Sequence, residues 1–323
     1  MAVYTDLGSE RLAELIAAYD VGELVSAKGI AEGISNSNWL IETTGHDGTG
    51  ARYVLTMYER RIDVADLPFF LGLLDHLAAE GCAVPATIHD REGAASREVE
   101  GKAVALIEFL PGVSPSEPSP AQAHSAGRAL ARVHLAGTRY PHTRQNPLTA
   151  ENSAGILALF SESRLAGIHP DLPDIAARAS DIANRMPGNL PESIIHSDLF
   201  PDNVLMLGNE VSGLIDFYFA ANGAMAYDLA VMHAAWSFDP RGEVLDAAIG
   251  RAVVEGYESV RSLLPEERAA LPLLAQAGCL RFVASRTEDW FDTPGVALVR
   301  RKDPMEFARR LEFYREAGQG AFA

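Results

Sequence analysis

The chain has 323 residues, enough for two domains or one large one, and 48% of them are hydrophobic, so it can bury a sizeable core. Acidic residues outnumber basic ones 44 to 27, which gives a net charge of −17. This excess argues against nucleic-acid binding through phosphate neutralisation and against a polybasic membrane-surface binder. It leaves an anionic substrate open, because a local pocket can oppose the global charge.

The two cysteines and the apolar segments indicate the compartment. Cys82 and Cys279 lie far apart in apolar contexts, so neither a disulfide framework nor a CxxC metal site is expected. Residues 1–20 lack the basic start and apolar core of a signal peptide, and no run of 18 apolar residues occurs. We therefore expect a cytoplasmic protein with buried free thiols and no association with nucleic acid or membrane.

The first third of the chain is rich in strand patterns. Two β-type runs, residues 39–44 and 52–58, flank a turn-rich connector and predict a hairpin. A helical stretch from about residue 63 to residue 80 comes next and stops at Gly81, and residues 102–109 give the clearest further strand.

A proline-rich segment, residues 110–120, divides the chain, because four prolines in this stretch can continue neither a strand nor a helix. Ser119 and Pro120 then predict the N-cap and first position of a helix that runs to about Ala136. Ala-rich helix accounts for most of the chain after residue 136. We predict an α+β fold of two lobes: a small antiparallel β-sheet lobe, residues 1–109, a hinge at about 107–112, and a larger, mainly helical lobe, residues 110–323.

One polar loop between apolar runs carries the chemical signal. His196, Asp198 and Asn203 form an H-x-D-x-x-x-x-N pattern, and a second apolar run ends at Asp216. Phosphoryl transfer needs a carboxylate that orients the attacking hydroxyl and accepts its proton, together with oxygen ligands that hold Mg²⁺. Asp198 fits the first role as the catalytic residue, and Asn203 and Asp216 fit the second as metal ligands.

These motifs resemble the catalytic and metal loops of the aminoglycoside phosphotransferase-like branch of the protein-kinase fold. The resemblance implies that the N-terminal lobe binds ATP, that Mg²⁺ is required, and that the C-terminal lobe carries catalysis and the substrate site. Residues 107–112 resemble the family's hinge, so the backbone of Glu108, Phe109 and Leu110 is expected to bind adenine. Asp228, in a following Asp motif, and His196 are expected to brace the catalytic loop rather than to act chemically.

Within that branch, three stretches resemble the bacterial homoserine kinases: residues 35–43, 53–59 and 213–220. This likeness implies transfer of the ATP γ-phosphate to the side-chain hydroxyl of L-homoserine, in threonine biosynthesis. Two alternatives stay open. One is another small-molecule hydroxyl kinase of the family, acting on choline, ethanolamine or an aminoglycoside. The other is a non-catalytic pseudokinase.

The pseudokinase alternative arises from Thr56, which stands where most kinases of this fold carry a Lys that pairs with the nucleotide phosphates. Lys28, Arg60 and Arg61 are candidates for the missing cation, and the sequence does not choose between them. Residues 29–38 are expected to form a polar loop over the phosphates. Three of its side chains, Ser35, Asn36 and Asn38, could then donate to phosphate oxygens.

The acceptor site is predicted from the chemistry of an amino acid, whose carboxylate calls for a guanidinium. Arg281 and Arg286 lie five residues apart on an apolar helix and are candidates, with a buried ion pair as the alternative for each. Tyr218 and Trp236 are candidates for the pocket wall, with aromatic core packing as the alternative.

Overall fold

The computed structural model describes residues 7–30, 36–59, 63–292 and 301–323. These residues group into two compact units. The first holds the chain up to Gly112 together with Ser212–Tyr218, and the second holds Val113–Val211 and Phe219–Ala323. The sequence predicted a single division of the chain near residue 110, which would place residues 212–218 in the C-terminal lobe. The short segment belongs to the first unit because the Leu214 N–H donates to the Ala83 carbonyl at 2.7 Å.

The first unit is built on a six-stranded sheet in the order β1-β2-β3-β6-β4, with β5 on β6, and every pairing in it is antiparallel. Its elements are α1 (Ser9–Ala17), β1 (Leu24–Ile30), β2 (Asn36–Thr43), β3 (Ala51–Tyr58), α2 (Leu67–Ala79), β4 (Thr87–Ile88), β5 (Arg97–Val99) and β6 (Lys102–Glu108). A short 3-10 helix, Val64–Asp66, precedes α2.

One face of this sheet carries the apolar core of the first unit. Alternate strand residues such as Ile41, Leu55 and Leu106 are fully buried and form one cluster with Leu12 and Ile16 of α1. The period-two pattern of strands 39–44 and 52–58 therefore predicted the hairpin correctly, in a register that pairs Trp39 with Leu55.

The second unit is mainly helical. Its elements are α3 (Pro120–Gly137), α4 (Ala150–Ala158), α5 (Glu162–Ala166), α6 (Leu172–Ala177), α7 (Ala179–Asn184), β7 (Glu192–Ile195), β8 (Val204–Leu207), β9 (Glu210–Leu214, which ends in the first unit), β10 (Ala221–Ala224), α8 (Met225–Trp236), α9 (Ala247–Glu258), α10 (Pro265–Asp292) and α11 (Met305–Ala317). Its described residues also form the 3-10 helices Pro201–Asn203 and Gly318–Phe322, and a further 3-10 helix, Phe217–Phe219, begins in the first unit. β7 pairs antiparallel with β10, and β8 with β9 forms a second two-stranded sheet.

Helix boundaries follow the capping signals in the sequence. Ser119 caps α3 in a capping box with Gln122, and Pro120 is the first helical residue, as predicted. Gly81, just beyond α2, has a φ of +77°, the left-handed conformation that ends a helix and favours glycine. In the part of the chain that the structure describes, no helix is both long and apolar enough to cross a membrane.

Candidate active site in the His196–Asn203 loop

The loop that carries the H-x-D motif is fixed at both ends by strands. Ile195 is fully buried and ends β7, where it pairs with Ala221 of β10. Pro201 then opens the 3-10 helix that leads through Asn203 into β8. The segment between these strands is short, and its His196 and Ser197 are each buried.

Asp228 of α8 holds the start of this loop. Its carboxylate accepts the N–H of His196 at 2.6 Å and the N–H of Ser197 at 2.7 Å. The side chain is fully buried and also bonds to Nε2 of His134 at 3.0 Å. Burial by itself raises the pKa of Asp228, but the hydrogen bond and charge of His134 and the backbone donors outweigh it, so the pKa lies below its ordinary value. Asp228 therefore carries a negative charge that braces the loop.

His134, on α3, completes this buried network. Because an ionised carboxylate only accepts hydrogen bonds, Nε2 of His134 donates to Asp228, and Nδ1 of His134 lies 2.8 Å from the Tyr257 hydroxyl. Tyr257 in turn lies 3.4 Å from a guanidinium nitrogen of Arg261. The sequence did not predict the contact between His134 and Asp228, because the two residues are 94 positions apart. The one local signal for His134 is its place near the end of a buried helix.

In this loop, the backbone N–H and carbonyl of Asp198 both form hydrogen bonds, and its side chain is partly exposed to solvent. Its carbonyl accepts from the Asn203 amide nitrogen at 2.8 Å and from the Phe200 N–H at 2.8 Å, and its own N–H donates to Nδ1 of His196 at 3.2 Å. The side chain is 20% exposed, and Oδ1 of its carboxylate lies 3.0 Å from Nη1 of Arg281. A side chain held in this way can present a carboxylate oxygen to a small hydroxyl substrate.

Asn203 and Asp216 offer hard oxygen atoms. The side-chain amide nitrogen of Asn203 donates to the Asp198 carbonyl. The side-chain oxygen of Asn203 therefore points away from that hydrogen bond and can ligate a cation. Asp216 lies in the first unit, two residues beyond β9, and is exposed, with a φ of +67°. An amide oxygen and a carboxylate oxygen are each of the ligand types that Mg²⁺ prefers. Among the described residues, no group of three or more His, Cys, Asp or Glu side chains lies close enough together to hold a metal ion.

The predicted phosphate loop is wrong in part. Residues 29 and 30 belong to β1, and Asn36 and Asn38 belong to β2, so only 31–35 connect the strands. This segment is a strand because its backbone pairs on both sides: Asn38 lies opposite Ile30 of β1 and Thr56 of β3. Asn38 Oδ1 accepts from the Thr56 hydroxyl at 2.9 Å, and Asn36 is buried. The third proposed donor, Ser35, and two of the candidate cations, Arg60 and Arg61, lie outside the described residues.

Lys28 and residues 108–110 are the other residues that the sequence predicts to contact the nucleotide. Lys28 is exposed on β1. Glu108 ends β6 opposite Tyr53, and its N–H already donates to the Ala86 carbonyl at 2.9 Å. The strand ladder stops there, so the backbone of Phe109 and Leu110, the residues predicted to bind adenine, lies beyond the sheet pairing.

The residues proposed for the acceptor pocket have partners in the fold. Tyr218 bonds to the Tyr58 hydroxyl at 3.0 Å and packs edge-on against Phe70. Trp236 is buried and its indole N–H donates to the Leu199 carbonyl at 2.9 Å.

The two arginines of α10 differ from each other. Arg286 donates to the Asp303 carbonyl at 2.8 Å and pairs with Glu306, which is the ion-pair alternative considered for it. Arg281 reaches the His196–Asn203 loop itself, where it contacts Ser197 and Asp198. Their assignment to substrate binding stays a prediction.

Comparison with known proteins places this arrangement in a family. The profile of the phosphotransferase enzyme family matches residues 26–263, and the chain therefore belongs to that family. Relatives named homoserine kinase align over nearly the whole length. The protein from Granulibacter bethesdensis is 45% identical over 98% of this chain and 98% of its own, and that from Azorhizobium caulinodans is 46% identical over 98% and 96%.

Solved structures agree on the fold. Spectinomycin phosphotransferase APH(9)-Ia in complex with ADP and spectinomycin superposes with a TM-score of 0.72 at 14% identity, over 98% of this chain and 100% of that one. The amicoumacin kinase hAmiN in complex with AMP-PNP and Ca²⁺ superposes with a TM-score of 0.70 at 12% identity, over 97% and 94%. The α+β, protein-kinase-like fold expected from the sequence is confirmed.

Proposed function

We propose that this chain transfers the γ-phosphoryl group of ATP to the side-chain hydroxyl of L-homoserine, producing O-phospho-L-homoserine in threonine biosynthesis. The observation that carries the choice of acceptor is the identity of 45% over 98% of both chains with a relative of that name. The geometry of the His196–Asn203 loop supports the chemistry, because a braced, partly exposed carboxylate is what phosphoryl transfer to an alcohol needs. The cytoplasmic location expected from the sequence stays a prediction.

Asp198 would orient the homoserine hydroxyl and accept its proton as the oxygen attacks the γ-phosphorus. Asn203 and Asp216 would hold Mg²⁺, which when bound neutralises charge on the phosphate oxygens. The backbone at Phe109 and Leu110 would pair with adenine. No covalent intermediate with the enzyme is required, since positioning and electrostatic stabilisation supply the rate.

The acceptor is tested by measuring ADP release with ATP and Mg²⁺ across a panel of hydroxyl compounds: homoserine, serine, threonine, choline, ethanolamine and spectinomycin. We expect homoserine to be turned over with the highest kcat/KM and to yield a phosphomonoester in the ³¹P NMR spectrum. Turnover of choline or spectinomycin but not homoserine would contradict the proposed acceptor. Absence of turnover with any acceptor, with ATP still bound, would favour the pseudokinase alternative.

The role of Asp198 is tested by Asp198→Asn, which keeps the shape of the side chain and removes the proton acceptor. We expect homoserine-dependent ADP release to fall by about 1,000-fold or more while ATP affinity, measured by calorimetry, changes little. Asp202→Asn is the matched control, since Asp202 is an exposed carboxylate on the same loop. Equal activity in the two variants would remove Asp198 from the mechanism.

A further inference from the structure

Ser197 has a backbone conformation that needs support from its surroundings. Its φ is +67°, in the left-handed region that non-glycine residues rarely adopt, and it is 1% exposed. Its N–H donates to Oδ1 of Asp228 at 2.7 Å, and its carbonyl accepts from Nη1 of Arg281 at 2.7 Å. The residue immediately before the catalytic carboxylate is thus held from both sides by charged groups of the second unit.

The same nitrogen of Arg281 also holds the carboxylate. Nη1 lies 3.0 Å from Oδ1 of Asp198, so its two hydrogens serve the Ser197 carbonyl and the Asp198 side chain together. The Arg281 side chain is 6% exposed, and its guanidinium carbon lies 4.2 Å from the ring centroid of Phe282 and 5.2 Å from that of Phe219. Packed between two aromatic rings, it has a fixed orientation and is not readily replaced by water.

These contacts leave the two oxygens of Asp198 in different situations. Oδ1 is taken by Arg281, whereas Oδ2 makes no hydrogen bond to any residue that the structure describes, and the side chain is 20% exposed. We propose that Arg281 is a positioning residue that fixes the Ser197 carbonyl and the Asp198 rotamer, so that Oδ2 of Asp198 is the atom that receives the substrate proton. This inference rests on the proposed function and assigns an atom to its proton transfer.

In this step the hydroxyl proton moves to Oδ2 of Asp198 as the hydroxyl oxygen bonds to the γ-phosphorus of ATP. The bond from that phosphorus to the oxygen bridging it to the β-phosphorus breaks, and its electron pair leaves with ADP. Arg281 exchanges no proton. Its contribution is to keep Oδ1 occupied and Oδ2 directed at the acceptor, so its loss should slow the chemical step rather than weaken substrate binding.

This role is distinguishable from the substrate-carboxylate role expected from the sequence. We would measure kcat and both KM values for Arg281→Met and Arg281→Lys, with Arg310→Met as the matched control. Arg310 is a buried arginine of α11 that donates to the carbonyls of Ala234 and Asp239. We expect Arg281→Met to lower kcat about 100-fold, with each KM changed less than about threefold. Arg281→Lys should lower kcat about tenfold, and Arg310→Met should keep a kcat close to that of the unaltered chain.

Chemical rescue provides a second readout. Millimolar methylguanidinium should restore part of the kcat of Arg281→Ala without changing its KM for homoserine, because the cation can refill the space left by the side chain. A raised homoserine KM with unchanged kcat in Arg281→Met would overturn the proposal and assign Arg281 to the substrate carboxylate. Unchanged kinetics would overturn it as well.

Folding and function are controlled separately. Thermal melting shows whether Arg281→Met is folded. If it is not, the kcat of Arg281→Lys tests the positioning role, and an unchanged kcat in that variant contradicts it. Failure of the unaltered chain to phosphorylate homoserine would refute the proposed function. An unaltered chain that is active on homoserine, with Arg281 variants equally active, would refute the present inference alone.

Discussion

Asp228 gathers three hydrogen-bond donors of the second unit on one buried carboxylate. Oδ2 accepts from the His196 N–H and from Nε2 of His134, and Oδ1 accepts from the Ser197 N–H. An asparagine in this place would replace one accepting oxygen with an NH₂ group and turn at least one of these contacts into a donor facing a donor. The conformation of the His196–Asn203 loop therefore depends on the charge of this side chain as well as on its shape.

We predict that Asp228→Asn lowers both stability and turnover. Removing one partner of a buried charged network costs about 3 kcal/mol, and the displaced loop should reduce kcat about 100-fold. Urea unfolding and homoserine-dependent ADP release measure the two effects. Asp239→Asn is the control, because Asp239 also accepts two backbone N–H groups, those of Glu243 and Val244, in a half-exposed turn away from the loop. A normal kcat for Asp228→Asn would show that the loop holds its shape without this charge.

At the scale of elements, α3 and α9 approach each other through glycines. A Cβ atom on Gly127 of α3 would lie 2.2 Å from the carbonyl oxygen of Val253, and one on Gly256 of α9 would lie 2.0 Å from the carbonyl oxygen of His124. Both obstacles are backbone atoms, so no side-chain rotation can relieve them. The contact matters for the site because α3 carries His134 and α9 carries Tyr257, which bond to each other.

We predict that Gly127→Ala and Gly256→Ala each lower the free energy of unfolding by about 1–3 kcal/mol, because the two helices must separate to admit the methyl group. The matched control is Gly155→Ala in α4, where a Cβ meets nothing within 4 Å. That change should raise stability by about 0.5–1 kcal/mol, since alanine is the better helix former. Urea denaturation of the three variants decides it. Equal effects at all three positions would show that the close approach carries no energetic weight.

Element prediction from the sequence succeeded where the signal is local. The β2–β3 hairpin, the stop of α2 at Gly81 and the Ser119 cap of α3 each depend on residues within a few positions of one another. It failed at Asn36–Asn38, where polar residues indicated a loop but pairing with both neighbouring strands makes a strand. Helix α1 was not predicted, although its buried Leu12, Leu15 and Ile16 follow helical spacing.

At the scale of the whole molecule, the candidate site was predictable only as far as it is contiguous in sequence. Three candidate residues, Asp198, Asn203 and Asp216, lie within about twenty residues of sequence, so a sequence motif could predict them together. Arg281 is 83 residues from Asp198, and a lone arginine on an apolar helix does not indicate its partner. Its placement depends on how α10 packs in the second unit, which no local pattern encodes.

The response of the whole fold to acid should depend on His233, a residue of α8 that is fully buried. Its Nδ1 lies 2.6 Å from the Tyr314 hydroxyl, and its Nε2 has no partner among the described residues. Burial lowers the pKa of His233 from 6.5 to about 3. Between these two pH values, this histidine is protonated in the unfolded chain but not in the folded chain, so the folded state becomes less stable as the pH falls below 6.5. Above pH 6.5 this group does not affect stability.

We therefore predict that His233→Gln reduces the pH dependence of stability. Lowering the pH from 7.5 to 5.5 should reduce the free energy of unfolding by about 1.4 kcal/mol through this histidine. That is the effect of one proton bound only by the unfolded chain over about one pH unit below 6.5. The variant will be less stable than the unaltered chain at pH 7.5, but the difference between them should shrink by that amount at pH 5.5. Urea unfolding at the two pH values measures it, with the exposed His142→Gln as control. Parallel curves for His233→Gln and the unaltered chain would mean that His233 takes up its proton in the folded state, and that the buried ring near Tyr314 is accessible to water.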